Sequence, residues 1–549
     1  MRSGSPAPQL VLWAMALLLA ALAGPCRSQQ PPVPPTPGAL LEGIGLRHPA
    51  IPGGAPAEFL FPQEASPSTH DRSGRRFLVK GFHFVGNTVF TEARLRRVVE
   101  RFTDLQLNLH DLNKASDAVS RFYREMGFPV AGAFIPVQKV EDGLVIMNVI
   151  EGRMGALVFE GGWRYSDATL GAYMAPLLEQ PQVTIGQLER SLLLMNDLPG
   201  LKARATLAPG AARGETDATI ALEEKPLALT AQFNNWGRKE AGANRLDIGV
   251  ELNNPLGIGD QLTWRGMKAE QGLMHYNRIG YSIPLGADGL RFSIGGSSVR
   301  YKVAGDFALL GIEGLVNSSE MGLSYALRRS RVSNIMLSAG IKSTQSRQTA
   351  LNTPLSSSRL RVLSLGVAAN WVHEDSSNTS LSTTYSSNFR KNYGNNPDAL
   401  RGKVDIDFTH LAGLSPRWDV FTRFNTMLGA GSVPDTEKFS IGGPDSVRGY
   451  RSAEYRGDRG YLFSVEFRRQ FLLLNTVGIY SIFHDRGGVR NSGFASQDNL
   501  SSWGTGVTLF PRKESRIRAD IAWPTSDKNR PAGDGKSGAR LWLSASISF

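Results

Sequence analysis

Two short stretches carry residue types that could do chemistry. His373, Glu374 and Asp375 stand side by side, an imidazole next to two carboxylates. A metal centre would need a second histidine at ligand spacing, and none stands there. The cluster therefore reads as charge on a loop or barrel rim. No Walker-type phosphate loop and no nucleophile elbow occurs, so neither nucleotide-driven work nor acyl transfer has its residues here. Accordingly no catalytic residue, metal ligand or cofactor is assigned. The other stretch is "SVRGY", Ser446–Tyr450, just after Gly442, Gly443 and Pro444. Alone it is a turn with a solvated arginine. A guanidinium is also a forked donor for a carboxylate, if the chain supplies one in the right place.

The N-terminus is read as a targeting signal. Arg2 is followed by the apolar run Leu10–Ala23, of signal-peptide length, with cleavage near Ala23 or Ser28. The only cysteine is Cys26. Pro25 before it fits a lipidation signal poorly, and a cut at Ser28 leaves no thiol, hence no disulfide framework. Losing Arg2 and Arg27 lowers the formal net charge of +12 by two. The remaining basic residues are scattered through β-patterned segments, which suits a polar lumen better than nucleic acid.

What positions these residues is modular. Residues 1–28 are the signal peptide and 29–74 a linker, since "QQPPVPPTPG" favours extended polyproline backbone. Within the linker, Gly38–Leu46 has the pattern of a short amphipathic helix, and the rest is expected to be mobile. Residues 75–152 read as β-α-α-β-β: a strand with a turn at Gly86-Asn87, two amphipathic helices, and two strands around the Asp142-Gly143 turn. The order recurs over 153–226, where the second helix stops at Pro199-Gly200, so the two segments form a tandem repeat.

From 227 to 549 the chain alternates apolar with polar or small residues. In "SRIRADIAW", Ile517, Ala519, Ile521 and Trp523 share one face and Arg516, Arg518 and Asp520 the other, as lipid outside and water inside require. Backbone groups in lipid must pair internally, so such a sheet must close. With membrane strands of ~9–11 residues and about 20 residues per strand plus loop, about 16 strands fit. The fold class is an all-β transmembrane barrel preceded by two α+β domains.

Residue motifs add a resemblance. Phe84, Gly86, Asn87, Thr88, Tyr123, Gly127, Phe128, Val149, Glu151 and Gly152 resemble a POTRA domain, and "LLLMNDLPGLKARATLAPG" resembles the second POTRA domain of two-partner secretion transporters, the TpsB family. "FNNWGRKEAGANR", "NPLGIGDQL" and "YSIPLGADGLRF" resemble its first barrel strands. "IGGPDSVRGY" is similar to its inward-folded loop, and "FHDRG" to its inner-wall motif. The matches run over roughly residues 75–549.

The resemblance implies an outer-membrane channel, POTRA domains in the periplasm, that exports a large unfolded TpsA-type partner (adhesin, haemolysin or toxin). It implies a loop motif of Val447, Arg448, Gly449 and Tyr450, with Arg448 reaching Asp485 on a wall motif of Phe483, Asp485 and Gly487. Gly449 would permit a tight turn at the tip. Phe549, ending the alternating strand "ARLWLSASISF", resembles the signal read by barrel-assembly machinery, and Gly38–Leu46 corresponds to a pore-plug helix in some relatives. The alternative is a barrel-assembly insertase or chaperone built of the same modules. A plain pore would lack the POTRA repeat. The partner's identity, the exact strand number and the oligomeric state are not written in the sequence.

Overall fold

The computed structural model describes residues 34–42, 44, 59–60, 76–212, 214–388, 393–394, 400–525 and 538–549. The signal-peptide reading of residues 1–28 and most of the linker lie outside them.

The first repeat packs the helices Glu92–Val99 and Leu109–Glu125 on a three-stranded sheet, Gly81–Val85, Leu144–Ile150 and Gly132–Phe134 in spatial order. Asn108 starts the longer helix by accepting the Asp111 N–H at 2.9 Å, a cap typically worth about 1 kcal/mol. The Gly86-Asn87-Thr88 turn is fixed by one buried carboxylate. Glu151 accepts the Thr88 and Val89 N–H groups, both at 2.7 Å, and the Tyr123 hydroxyl at 2.9 Å. Burial works against its charge. The hydrogen bonds from Thr88, Val89 and Tyr123 outweigh burial and hold Glu151 below the ordinary glutamate value.

The expected two strands around Asp142-Gly143 are corrected in part, because the first stops at Phe134. Pro136 has no N–H to give a ladder. The Gln138 side chain instead donates to the Ile146 carbonyl at 2.7 Å and accepts the Ile146 N–H at 2.8 Å, doing a strand's pairing with an amide.

The second repeat has the strand Arg153–Glu160, the helices Asp167–Leu178 and Ile185–Asn196, and the strands Leu201–Pro209 and Glu215–Glu224. Thr184 and Gln187 form a capping box at the second helix. The edge of this sheet is taken by the linker itself, Phe59 and Leu60 pairing parallel to Ala205 and Thr206. That corrects the expectation of mobility at this point of the linker.

Sixteen long antiparallel strands then close a barrel, each paired with its neighbours in sequence, with the two-residue piece Tyr393–Gly394 as an extra pairing. The first strand, Leu227–Asn234, meets the last, Arg540–Ser548, through Thr230–Asn234 against Ser544–Ser548. Alternation sets the two faces. On Arg245–Asn253, Leu246, Ile248 and Leu252 are exposed outward, whereas Arg245 and Asp247 are buried inward. No helix among the described residues is long and apolar enough to cross a membrane. The strands do the crossing.

The barrel holds two inclusions. A helix, Pro37–Glu42, buries Leu40 and, just beyond it, Ile44 against Met267, Tyr276, Tyr301 and Val316 of the inner wall. The segment between the strands Trp418–Gly429 and Arg459–Leu473 also folds inward, with the small hairpin Phe439–Ile441 and Tyr455–Gly457 behind its tip.

Candidate functional site

The tip of that segment carries "SVRGY". Gly442 and Gly443 turn it with φ of 102° and 112°, where a side chain would strain the backbone. The tip does turn tightly at Arg448 and Gly449, the Tyr450 N–H donating to the Val447 carbonyl at 3.2 Å, but Gly449 does not sit at positive φ. Its reason is proximity: a Cβ there would lie 2.7 Å from the Ser502 Cβ and 3.0 Å from the Pro524 nitrogen. Only a glycine lets the tip lie this close to the wall.

Arg448 is 1% exposed. Its Nε donates to Asp485 Oδ2 at 2.8 Å and its Nη2 to Asp485 Oδ1 at 2.7 Å, a fork-to-fork pair. The Arg448 N–H adds a bond to Asp485 Oδ2 at 3.2 Å. Two partners were not read from the sequence. Glu466 Oε1 lies 2.8 Å from Nη1, and Ser464, which accepts from Nη2, donates to Asp485 Oδ1 at 2.7 Å. A signal for them was present, since Ser464, Glu466 and Arg468 alternate in one strand and so share its inner face.

Phe483 lies flat beneath the guanidinium, 3.2 Å from carbon to ring centre. Gly504 leaves room for this ring, because a Cβ there would be 2.4 Å from it. Gly487 does the same for the tip, since its Cβ would meet Ile441 and Val447 at 2.9 and 3.2 Å. Val447 and Tyr450 are buried with Ile441, Leu462, Val489 and Leu500. Thus Val447, Arg448, Gly449 and Tyr450 of the loop meet Phe483, Asp485 and Gly487 of the wall in one place.

The tip also touches both sides of the barrel closure. The Trp542 indole, on the last strand, donates to the Arg448 carbonyl at 2.7 Å. Ser452 donates to the Trp236 carbonyl at 2.7 Å, and Arg238 donates to the Ser452 and Ala453 carbonyls at 3.1 Å, both from beyond the first strand. Phe549 lies apart, exposed, its main chain exchanging bonds with Leu229 at 2.8 and 3.2 Å.

At the loop's base, Asp435 accepts from Thr36 Oγ1 and from the Gly38 N–H of the inner helix at 2.9 and 2.7 Å. Glu437 lies 3.0 Å from Lys403 on the wall. On the opposite rim the second repeat docks on the barrel. Arg329 forks onto Asp197 at 2.8 and 2.7 Å, and Arg190 reaches the Asp288 turn. His373 sits on a turn between strands. It shares the Thr379 hydroxyl with His410, at 2.8 and 2.9 Å, the second histidine arriving from a neighbouring strand. Among the described residues no group of three or more His, Cys, Asp or Glu could hold a metal.

Residues 214–509, more than half of the chain, match the family described as "Haemolysin secretion/activation protein ShlB/FhaC/HecB". The chain belongs to that family. Residues 77–152 match "POTRA domain, ShlB-type". This haemolysin secretion/activation family member is 24% identical over 522 residues to the heme/hemopexin transporter protein HuxB of Haemophilus influenzae Rd, covering 90% of this chain and 91% of that one. It is 24% identical over 440 residues to the outer membrane transporter CdiB of Escherichia coli strain 536, covering 76% and 74%. The solved CdiB from E. coli superposes over all of both chains with a TM-score of 0.71 at 18% identity, a likeness of fold. The family's members are transporters. This one is an outer-membrane transporter of the two-partner secretion type, with its POTRA domains in the periplasm.

Proposed function

We propose that the chain exports one large unfolded partner, an adhesin, haemolysin or toxin, through its barrel, and that the Arg448–Asp485–Glu466 contact holds the channel shut between rounds. The observation that carries this reading is the buried fork of Arg448 on the wall, beside a helix also packed inside the barrel. Together they occupy the path an exported chain would take. A charged loop anchored by a buried triad and by bonds to both sides of the barrel closure has two arrangements, docked and released, and the passing chain favours the second.

Recognition falls to the POTRA pair, by addition of a partner strand to a sheet edge, where main-chain bonds give affinity without a demanding sequence. The Leu201–Pro209 edge already holds Phe59 and Leu60, so a partner strand there takes their place. Phe549 is assigned to recognition by the barrel-assembly machinery, and the outward apolar face to outer-membrane lipid. No catalytic step is assigned, and folding of the partner outside supplies direction.

The test is a deletion strain. Without this chain, one large protein should vanish from the medium and collect in the periplasm. The full chain should restore its release, and residues 227–549 alone, with a signal peptide, should not. Unchanged release without the chain would refute the assignment, while a general loss of outer-membrane barrels would point to the insertase reading.

A further inference from the structure

Arg245 opens the second barrel strand and is 2% exposed. Its Nε and Nη1 meet no acceptor. The other buried guanidinium groups described above are met by acceptors: Arg448 and Arg329 fork onto carboxylates, and Arg238 donates to the Ser452 and Ala453 carbonyls. Arg245 instead lines a cavity of about 80 Å³ between the inner wall and the underside of the loop tip, with Arg265, Asp247, Trp236, Gly443, Asp445 and Ser446 also on its walls.

Arg245 and Arg265 share this cavity with Asp247 and Asp445, but the hydrogen bonds are not shared evenly. Asp247 is taken by Arg265, whose Nε lies 2.9 and 2.8 Å from its two oxygens and whose Nη2 lies 2.7 Å from Oδ2. The Asp445 side chain is 43% exposed and lies 3.7 Å from Arg518. Arg245 is left buried without a hydrogen-bond acceptor on Nε or Nη1. A buried cation in that state is unfavourable unless something negative reaches it.

We infer that this cavity binds one small oxyanion, of phosphate or sulfate size, on the Arg245 guanidinium. Nε and Nη1 lie on different edges of the guanidinium, so an oxygen of the ion meets one of them in a single charge-assisted bond. The volume suits one tetrahedral oxyanion in place of a few waters. One wall of the cavity belongs to the barrel and the other, Gly443 and Ser446, to the loop. A bound oxyanion therefore ties the loop to the wall at a second point, independent of Arg448, so the loop is held more firmly when the ion is present.

The experiment titrates the purified full-length protein with inorganic phosphate, against chloride at equal ionic strength, following the fluorescence of Trp236 on the cavity wall. Wild type should show a saturable change that Trp236→Phe abolishes. Arg245→Gln should weaken apparent phosphate binding by roughly tenfold or more, the loss of a charge-assisted hydrogen bond. Arg245→Lys should retain part of it. Asp445→Asn removes a competing carboxylate and should tighten binding. No saturable phosphate response in wild type, or an equal one in a folded Arg245→Gln protein, overturns the site. If Arg245→Gln does not assemble, Asp445→Asn decides: tighter binding supports the site and unchanged binding refutes it.

Discussion

Replacing Arg448 with alanine removes the cation that touches both Asp485 and Glu466. Their side chains, 0% and 10% exposed, stay buried. Removing one member of a buried, hydrogen-bonded ion pair costs about 3–5 kcal/mol, most of it from the charge left behind. That cost falls on the docked loop alone, because release rehydrates both carboxylates. At 1.36 kcal/mol per tenfold, the docked-to-released ratio should fall by roughly 150- to 5,000-fold. The barrel ladder is untouched, so heat-modifiability on gels should not change.

Asp485→Ala should be milder, because Arg448 keeps Glu466 at 2.8 Å. The pair Asp485→Ala and Glu466→Ala together should approach Arg448→Ala. Arg448→Lys keeps the charge without the fork and should fall between them. The assay is open probability in planar bilayers, beside partner release at matched membrane levels. If Arg448→Ala multiplies with the double carboxylate variant rather than overlapping it, these groups act separately and the reasoning is wrong.

Other expectations follow from the same structure. Gly449→Ala should loosen the docked loop and raise channel opening by crowding Ser502 and Pro524. Ser502→Gly should restore it only in part, since the Pro524 contact stays, and full rescue would refute the crowding argument. Asp197→Ala strips the fork from Arg329, which is 6% exposed, and should speed proteolysis near Lys225, between the POTRA domains and the barrel, several-fold; equal cleavage would show that the joint does not depend on this pair. Glu151 has a lowered folded-state value, so its contribution is present above the ordinary 4.5 and is lost as pH falls through the lowered one. The Tm of a residue 76–225 fragment should therefore drop with acid, and Glu151→Gln should start lower and lose part of that dependence.

Much of this was legible because it lies in local pattern. Alternation in "SRIRADIAW" gives the two faces of a strand, and a barrel follows from what lipid demands of backbone. The tandem helices were legible from their apolar spacing. Arg448 could be singled out only by resemblance, since its partner stands 37 positions away on another strand. Glu466 was missed although its alternation with Ser464 was visible, because nothing local says which strand face a distant loop will meet. The turn at Gly449 was legible, but the need for clearance from Ser502 and Pro524 was not, as a glycine needed for clearance looks the same in sequence as one needed for φ. Gln138 acting as strand, and Phe59-Leu60 completing a sheet, depend on edges that only the folded domains create.

The loop tip's grip on both sides of the barrel closure bears on the order of events in assembly. Residues 230–234 pair with 544–548, so the ring cannot close until the final strand has been made. Closing so long a chain segment carries a large entropic cost before its first contact forms. The Arg448 carbonyl takes its indole donor from Trp542 on that final strand, and Ser452 takes its acceptor from Trp236 beyond the first. Neither pocket half is complete in an open sheet. Docking of the loop is then a late step, available only to a finished ring, and a truncated or unclosed barrel would be left with the loop undocked.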